Sequence, residues 1–392
     1  MSKPFDAIVV GAGSFGAWTA LELCRRGRSV ALLEAYGPGH SRASSGGESR
    51  IIRMGYGPNE VYTRWSMRAL DRWQALFAQT GQPLFHPTGV LWLGRATDVD
   101  PYNAASLAAF GKLGVPHRTL SRQELARTYP QIALDEDVSW GLLETHSGVL
   151  LARRAVEAVV ERAVREGVQY IHAATGPPSG DEAVRGRLDA IRTADGTSIR
   201  VGIDGAIIFA CGPWLGKLFP ALLGDRLFIS RQEVFFFAPP AGDARFAPAA
   251  LPAWIDLAHE AYGMPDLEGR GVKVGIDRHG SAFDPDTGSR IPSPEGVSDA
   301  HLYLALRFPA LQEAPLVEAR VCQYENTSTG DFLLDRHPAF ENVWLAGGGS
   351  GHGFKHGPAV GEYLAGRILE GEPGEPRFSL ESKLAVQRRA IF

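Results

Sequence analysis

Residues 6–16 read DAIVVGAGSFG, an apolar run that breaks into three glycines, Gly11, Gly13 and Gly16, set around Ser14 and Phe15. DAIVV has the length of a short buried strand. In the next segment, AWTALELCRR (17–26), Ala20, Leu21, Leu23 and Cys24 form an apolar stripe at helical spacing. Gly27 supplies a residue able to take the positive φ that ends such a helix, and SVALLE (29–34) predicts a second strand ending on Glu34. Within one strand–helix–strand unit each glycine has a separate reason. Gly11 allows the tight turn, Gly13 lets the backbone approach a pyrophosphate, and Gly16 lets the helix pack on the sheet. The helix N-terminus presents its free N–H groups and positive dipole end to phosphate. Glu34 falls where a carboxylate accepts both ribose hydroxyls. The chain therefore predicts a Rossmann-like unit that binds a dinucleotide. The glycines alone do not choose between NAD and FAD.

A second Rossmann pair would continue with another helix and strand. Residues 41–56 instead read SRASSGGESRIIRMGY, a loop rich in Ser and Gly that leads into Arg50 and Arg53. Two arginines three apart are expected on one face of a helix start, one toward the cofactor and the other toward a substrate anion. Residues 61–77 have helical periodicity, as do 153–167. Ser121 and Glu124 form a capping box. Strand-like runs recur at 84–94, 206–214, 233–240 and 273–280. The overall pattern is α/β, with a cofactor domain interrupted by strand-rich insertions.

The length of 392 residues corresponds to about two domains. A net charge of −4 and the lack of a basic patch argue against nucleic acid or an anionic membrane as partner. No apolar run reaches the roughly 18 residues needed to cross a bilayer. Cys24, Cys211 and Cys322 are scattered, with no C-x-x-C pair, so neither a metal site nor a disulfide framework is expected. Three isolated thiols, and a first strand that begins almost at once, fit a cytoplasmic protein without a signal peptide. Cys24 and Cys211 read as core residues.

Residues 322–355 carry a longer pattern. Cys322 precedes Tyr324 by two, Phe332-Leu333-Leu334-Asp335 runs into His337-Pro338, and the stretch ends in Ser350-Gly351-His352-Gly353-Phe354-Lys355. Together with GAGSFG, Glu34, the SRIIR run and GVKVG (271–275), this resembles the sarcosine oxidase branch of the glycine oxidase/D-amino acid oxidase superfamily of flavoproteins, which includes N-methyl amino acid and fructosyl amine oxidases. The resemblance covers nearly the whole chain. It implies an FAD-binding domain made of 1–84, 150–215 and 321–372, a substrate domain made of 85–149 and 216–320, and a C-terminal tail at 373–392.

The resemblance also implies chemistry: oxidation of a secondary or N-substituted amine by the flavin to an imine, with oxygen reduced to hydrogen peroxide. A small-molecule amine and O2 are then the only partners, and the protein is a monomer or weak homo-oligomer. Cys322 matches the cysteine bonded through sulfur to the 8-methyl carbon of the flavin, a reaction that needs a thiolate. Arg53 and Lys355 match the residues that clamp a substrate carboxylate, where a planar guanidinium suits bidentate contact. Lys273 matches the lysine over the flavin that activates oxygen by stabilising developing negative charge. Arg50 matches an arginine at the flavin's benzenoid edge, and Tyr262 and Tyr324 match two pocket tyrosines. Ser45, Gly351, His352 and Gly353 are implied on the cofactor side. Two positions depart from the branch: Gly46 and Asp277 stand where histidines are common. Loss of the first ring is expected to open space, and the carboxylate of Asp277 suits a cationic or hydroxyl-rich group. A substrate bulkier than sarcosine, such as a fructosyl amino acid, is therefore expected. An FAD amine dehydrogenase with another electron acceptor, and a flavin-binding subunit of a larger complex, are the alternatives.

Overall fold

In the computed structural model, which describes residues 3–96, 100–178, 183–184 and 186–386, DAIVV forms the strand Phe5–Val10 at the centre of a mixed sheet. The order across that sheet is Leu333–Arg336, Val343–Gly347, Ser198–Phe209, Phe5–Val10, Val30–Glu34 and Gln169–His172. Every pairing along it is parallel except the first. Strands covered on both faces read as continuous apolar runs, and Ile8, Val9, Ala31, Leu32 and Leu33 are all fully buried. The helix Ser14–Arg25 packs against Gly357–Leu369 and Ala152–Arg165. Gly361 makes the first of these contacts possible, because a Cβ there would lie 2.7 Å from the Trp18 carbonyl oxygen.

The second sheet has eight strands, in the order Leu316–Asn326, Phe228–Phe237, Val272–Ile276, Ala261–Met264, Ala253–Asp256, Val90–Gly94, Trp140–Glu144 and His117–Ser121. The helix Pro294–Arg307 covers it with Ala300, Tyr303 and Leu304. The strand-rich character of 216–320 is as expected. The strand-and-loop reading of 216–320 missed this helix, although Ser293 accepts from the Gly296 N–H as an N-cap and Pro294 opens the first turn. The capping box at Ser121 and Glu124 is formed.

Leu316–Asn326 crosses the boundary expected at 320/321. It pairs with Phe228–Phe237 along nearly its whole length, so Cys322 and Tyr324 stand on the second sheet, and the chain reaches the first sheet only at Leu333. The described part of the tail docks back: Phe378 is buried with its ring 4.9 Å from Trp65, and the Leu380 N–H donates to Asp335 at 2.9 Å. Residues 387–392 of that tail lie outside the described residues.

The helix start expected at the two arginines is instead the strand Arg50–Ile52, paired antiparallel with Gly148–Leu150. Ile51 and Ile52 are β-branched and meet Val149 and Gly148, so pairing outweighs the i,i+3 spacing. Residues three apart on a strand leave on opposite sides, and Arg50 and Arg53 accordingly reach different partners.

Candidate active site

Two cavities meet at the C-terminal ends of the parallel strands. The larger, about 380 Å³, runs from Val10, Glu34 and Cys211 to Cys322 and Gly353. This crevice is where an open α/β sheet takes its ligand. Gly11 has φ +100°, and a Cβ there would overlap the backbone of Ala210; one on Gly16 would overlap the carbonyl of Gly11. Gly13 at the N-cap offers no side chain to the first turn of the helix, and the Ser14 N–H donates to Ser45 Oγ at 3.1 Å. Ser14, Phe15, Ser45, Gly351 and Gly353 all line this cleft, whereas Gly16 serves the helix–sheet contact behind it.

Glu34 is held at the strand end by N–H groups of Ala12 (2.8 Å) and Tyr36 (3.0 Å), with His40 Nε2 at 3.6 Å. A carboxylate has about four acceptor positions, so capacity remains for two ribose hydroxyls. Glycine approach, uncapped helix N-terminus and fixed carboxylate together fit a dinucleotide such as FAD. Tyr36, His40 and Trp214 cluster at the same end, with ring centroids 5.1–6.1 Å apart. Sequence reasoning missed this group; Gly-Pro-Trp after the buried strand was its only trace. Cys211, expected in the core, is half-buried and lines the cleft, because the strand that carries it ends at the crevice.

Glu325 was also missed. It lies among the apolar and glycine neighbours of the cleft wall, and burial pushes its carboxyl up to about 8 against the opposing pull of the Gly348 and Gly349 N–H groups. One oxygen accepts from the Gly348 N–H at 2.9 Å, and the other has no hydrogen-bond partner among the described residues. Burial thus favours the uncharged form of this carboxyl.

The smaller cavity, about 110 Å³, shares Arg50, Cys322, Tyr324, Gly351 and Phe354 with the larger one. Lys273, Arg53, Lys355, Tyr262, Asp277 and His352 line it. Lys273 comes from the central strand Val272–Ile276 and is 2% exposed, with Nζ donating to the Ser49 carbonyl at 2.9 Å. Burial, and then Arg50, hold its pKa well below the ordinary lysine value. Lys355 follows the glycine loop and is 4% exposed; Nζ donates to Tyr56 Oη at 2.7 Å and to the His352 carbonyl at 2.9 Å. Burial, and then Arg53, lower its pKa in the same way.

Arg53 donates to the Gly55 carbonyl and lies over two rings, 4.3 Å from Tyr56 and 5.1 Å from Trp92. Burial disfavours its charge, but Tyr56, Tyr102 and Glu144 more than offset that, and its pKa is raised. Glu144 fixes the chain around it by accepting from the N–H groups of Met54 (2.6 Å) and Gly55 (2.9 Å) and from Trp92 Nε1 (2.8 Å). Three buried basic side chains thus line a cavity whose wall also carries Glu48, Asp256, Glu260 and Asp277. Basic groups gathered in one cavity suit an anionic group such as a carboxylate.

Cys322 Sγ sits at the junction of the cavities, 3.6 Å from Arg50 Nη2. On the far wall, Tyr324 Oη donates to Asp277 Oδ1 at 2.8 Å, and burial pushes the Tyr262 phenol up to about 12. Gly46 lines the cavity, but a Cβ there would overlap the His40 carbonyl within the turn His40–Gly46. Its bareness answers to the turn before it answers to the pocket. Among the described residues no cluster of potential metal ligands occurs, and no helix is long and apolar enough to cross a membrane.

A family model described as DAO, FAD dependent oxidoreductase, matches residues 6–367. Monomeric sarcosine oxidase of a Bacillus species is 31% identical over 371 residues, covering 93% of each chain. N-methyl-L-tryptophan oxidase of Escherichia coli is 30% identical over 373 residues, covering 92% of this chain and 94% of that one. The crystal structure of L-proline dehydrogenase from P. horikoshii superposes with a TM-score of 0.84 at 20% identity, covering 97% of this chain and 98% of that one, a likeness of fold.

Proposed function

This chain belongs to the DAO family of FAD dependent oxidoreductases, and on that premise we propose that it is an oxidase of N-substituted amino acids. The observation that carries the proposal is the convergence of Arg53, Lys355 and Lys273 on one cavity that shares Cys322 with the nucleotide cleft. Sarcosine oxidase and N-methyltryptophan oxidase, by name, act on N-methyl amino acids, and such substrates carry a carboxylate that basic side chains can bind.

A bound flavin would supply the redox chemistry, taking a hydride equivalent from the carbon beside nitrogen and delivering the electrons to oxygen. The chain's own residues bind and orient. Arg53, backed by Tyr56 and Trp92, and Lys355 take the carboxylate. That anchor fixes the substrate's carbon and nitrogen in the space bounded by Tyr262, Tyr324 and Asp277. Lys273, at another part of the wall, supplies positive charge where oxygen gains electrons. Glu34 and the Gly11–Gly16 turn are proposed to hold the dinucleotide, and Cys322, beside Arg50, is proposed to bond the flavin ring.

The cavity also carries acceptors: Asp277 and the half-buried Glu260 line it, and the Glu260 carbonyl accepts from the Asp277 N–H at 2.6 Å. Acceptors in that position suit hydroxyl groups on the nitrogen substituent. Since about 110 Å³ admits little more than the amino acid end, a fructosyl group would extend past Asp277 toward Glu260. The protein is proposed to work in the cytoplasm.

The cofactor part is tested by acid precipitation of the purified protein and of Cys322→Ser, with a visible spectrum of pellet and supernatant. Yellow colour retained in the wild-type pellet and released from the variant is expected. Release from both would reject the covalent bond, and a colourless protein would reject the flavin.

A further inference from the structure

Three nitrogen atoms lie within hydrogen-bonding distance of Tyr56 Oη. Lys355 Nζ is at 2.7 Å, His356 Nε2 at 2.8 Å and His352 Nδ1 at 3.3 Å. His352 Nε2 lies 3.0 Å from the Gly330 carbonyl, so in the neutral ring that nitrogen carries the proton and Nδ1 is bare. The Tyr56 O–H therefore donates to His352. Its lone pairs are left for the Lys355 ammonium and the His356 Nε2–H. His356 is fully buried, and its Nδ1 has no hydrogen-bond partner among the described residues. A bare lone pair costs less there than an orphaned N–H, which keeps this histidine neutral. Burial, and then Lys355, hold its pKa well below the ordinary histidine value.

The same ring lies under Arg53, with the guanidinium carbon 4.3 Å from its centroid. One side chain thus touches both members of the proposed carboxylate clamp, through its face for Arg53 and its oxygen for Lys355. We propose that Tyr56 is a positioning residue that keeps the Lys355 ammonium charged and aimed at a substrate carboxylate, with His352 and His356 fixing the direction of its hydroxyl. This rests on the reading of the smaller cavity as a carboxylate site. The charged and titratable groups that face Lys355 are Arg53 and Tyr56 from the chain after Ile52, Glu144 from its strand, and His352 and His356 from its own segment.

The sign of the pH effect follows from the geometry. An oxygen that accepts from an ammonium favours the protonated form. Without it, Lys355 loses its proton at lower pH, and affinity for an anion goes with it. Phenylalanine retains the ring under Arg53 and removes only the oxygen.

The test uses the holoenzyme and propionate as a carboxylate probe, followed by the change it produces in the flavin absorption spectrum from pH 6 to 10. Wild type is expected to bind propionate and to weaken as pH rises. Tyr56→Phe is expected to weaken from a lower pH, with about a tenfold higher Kd at pH 7. Lys355→Met is expected to flatten the curve, and adding Tyr56→Phe to it to change Kd less than twofold. A pH curve for Tyr56→Phe that overlays wild type would overturn the role of Tyr56 while leaving the carboxylate site intact. Absence of propionate binding to wild type would remove the site itself, and this inference with it. Should Tyr56→Phe not fold, Lys355→Met alone still decides: an unchanged pH dependence rules Lys355 out as the titrating group.

Discussion

Lys273→Met is expected to slow reoxidation of the reduced enzyme by oxygen about 10²- to 10³-fold, the range found when one preorganised charge-stabilising group is removed. Reduction by substrate should change less than about tenfold on the same argument. Methionine has nearly the length of lysine and keeps the packing of the strand Val272–Ile276, so the loss is one of charge. That charge is built in at some cost: the side chain is 2% exposed and is held by the Ser49 carbonyl at 2.9 Å. Its pKa is well below the usual lysine range because of burial and then Arg50. The oxygen step should therefore also slow in wild type as pH rises through that lowered pKa, since the positive form is lost, and the variant should lack this dependence. Stopped-flow mixing of the reduced protein with aerated buffer reads both. Equal reoxidation rates for variant and wild type would remove Lys273 from the oxygen step.

The second large effect is expected for Arg53→Met: a fall of about 10²- to 10³-fold in kcat/KM for an amino acid substrate, as when one partner of a buried charged pair is deleted. Arg53 is 4% exposed and lies over the rings of Tyr56 and Trp92, and the chain beside it is fixed by Glu144. The variant leaves that cage in place and removes the fork. Arg53→Lys should recover only a small part, because an ammonium cannot reproduce a planar two-point contact. An amine of the same shape without a carboxylate should be oxidised poorly by wild type and no worse by the variant. A comparable loss for both amines would mean that Arg53 supports the structure and not the carboxylate.

Why the glycine fingerprint and Glu34 were legible is physical: each is required by local backbone geometry, and Gly11 at φ +100° has no substitute. The same holds for the turn before Lys355, where Gly348 and Gly351 have positive φ. Arg50 and Arg53 misled because spacing alone cannot reveal that Gly148–Leu150 claims Arg50–Ile52 as a strand. Cys322 and Tyr324 were found by motif, yet their place on the second sheet depends on pairing with Phe228–Phe237, about 90 residues away in the chain. Tyr56 and Glu325 left no signal. Their roles arise from neighbours brought together by folding: Lys355 and His356 for the one, Gly348 and Gly349 for the other. The proximity of Trp214 to Tyr36 and His40 is likewise a product of the sheet order.

The central claim is oxidation of an N-substituted amino acid with oxygen as acceptor, and oxygen uptake with a panel of such amines tests it most directly. The panel contains sarcosine, N-methyl-L-tryptophan and fructosyl amino acids, with hydrogen peroxide measured alongside. The account predicts uptake matched by peroxide, fastest for a substrate larger than sarcosine. It is contradicted if none of these amines consumes oxygen, whether or not they bleach the flavin without air; sarcosine matching or exceeding the fructosyl compounds would refute the place given to Asp277.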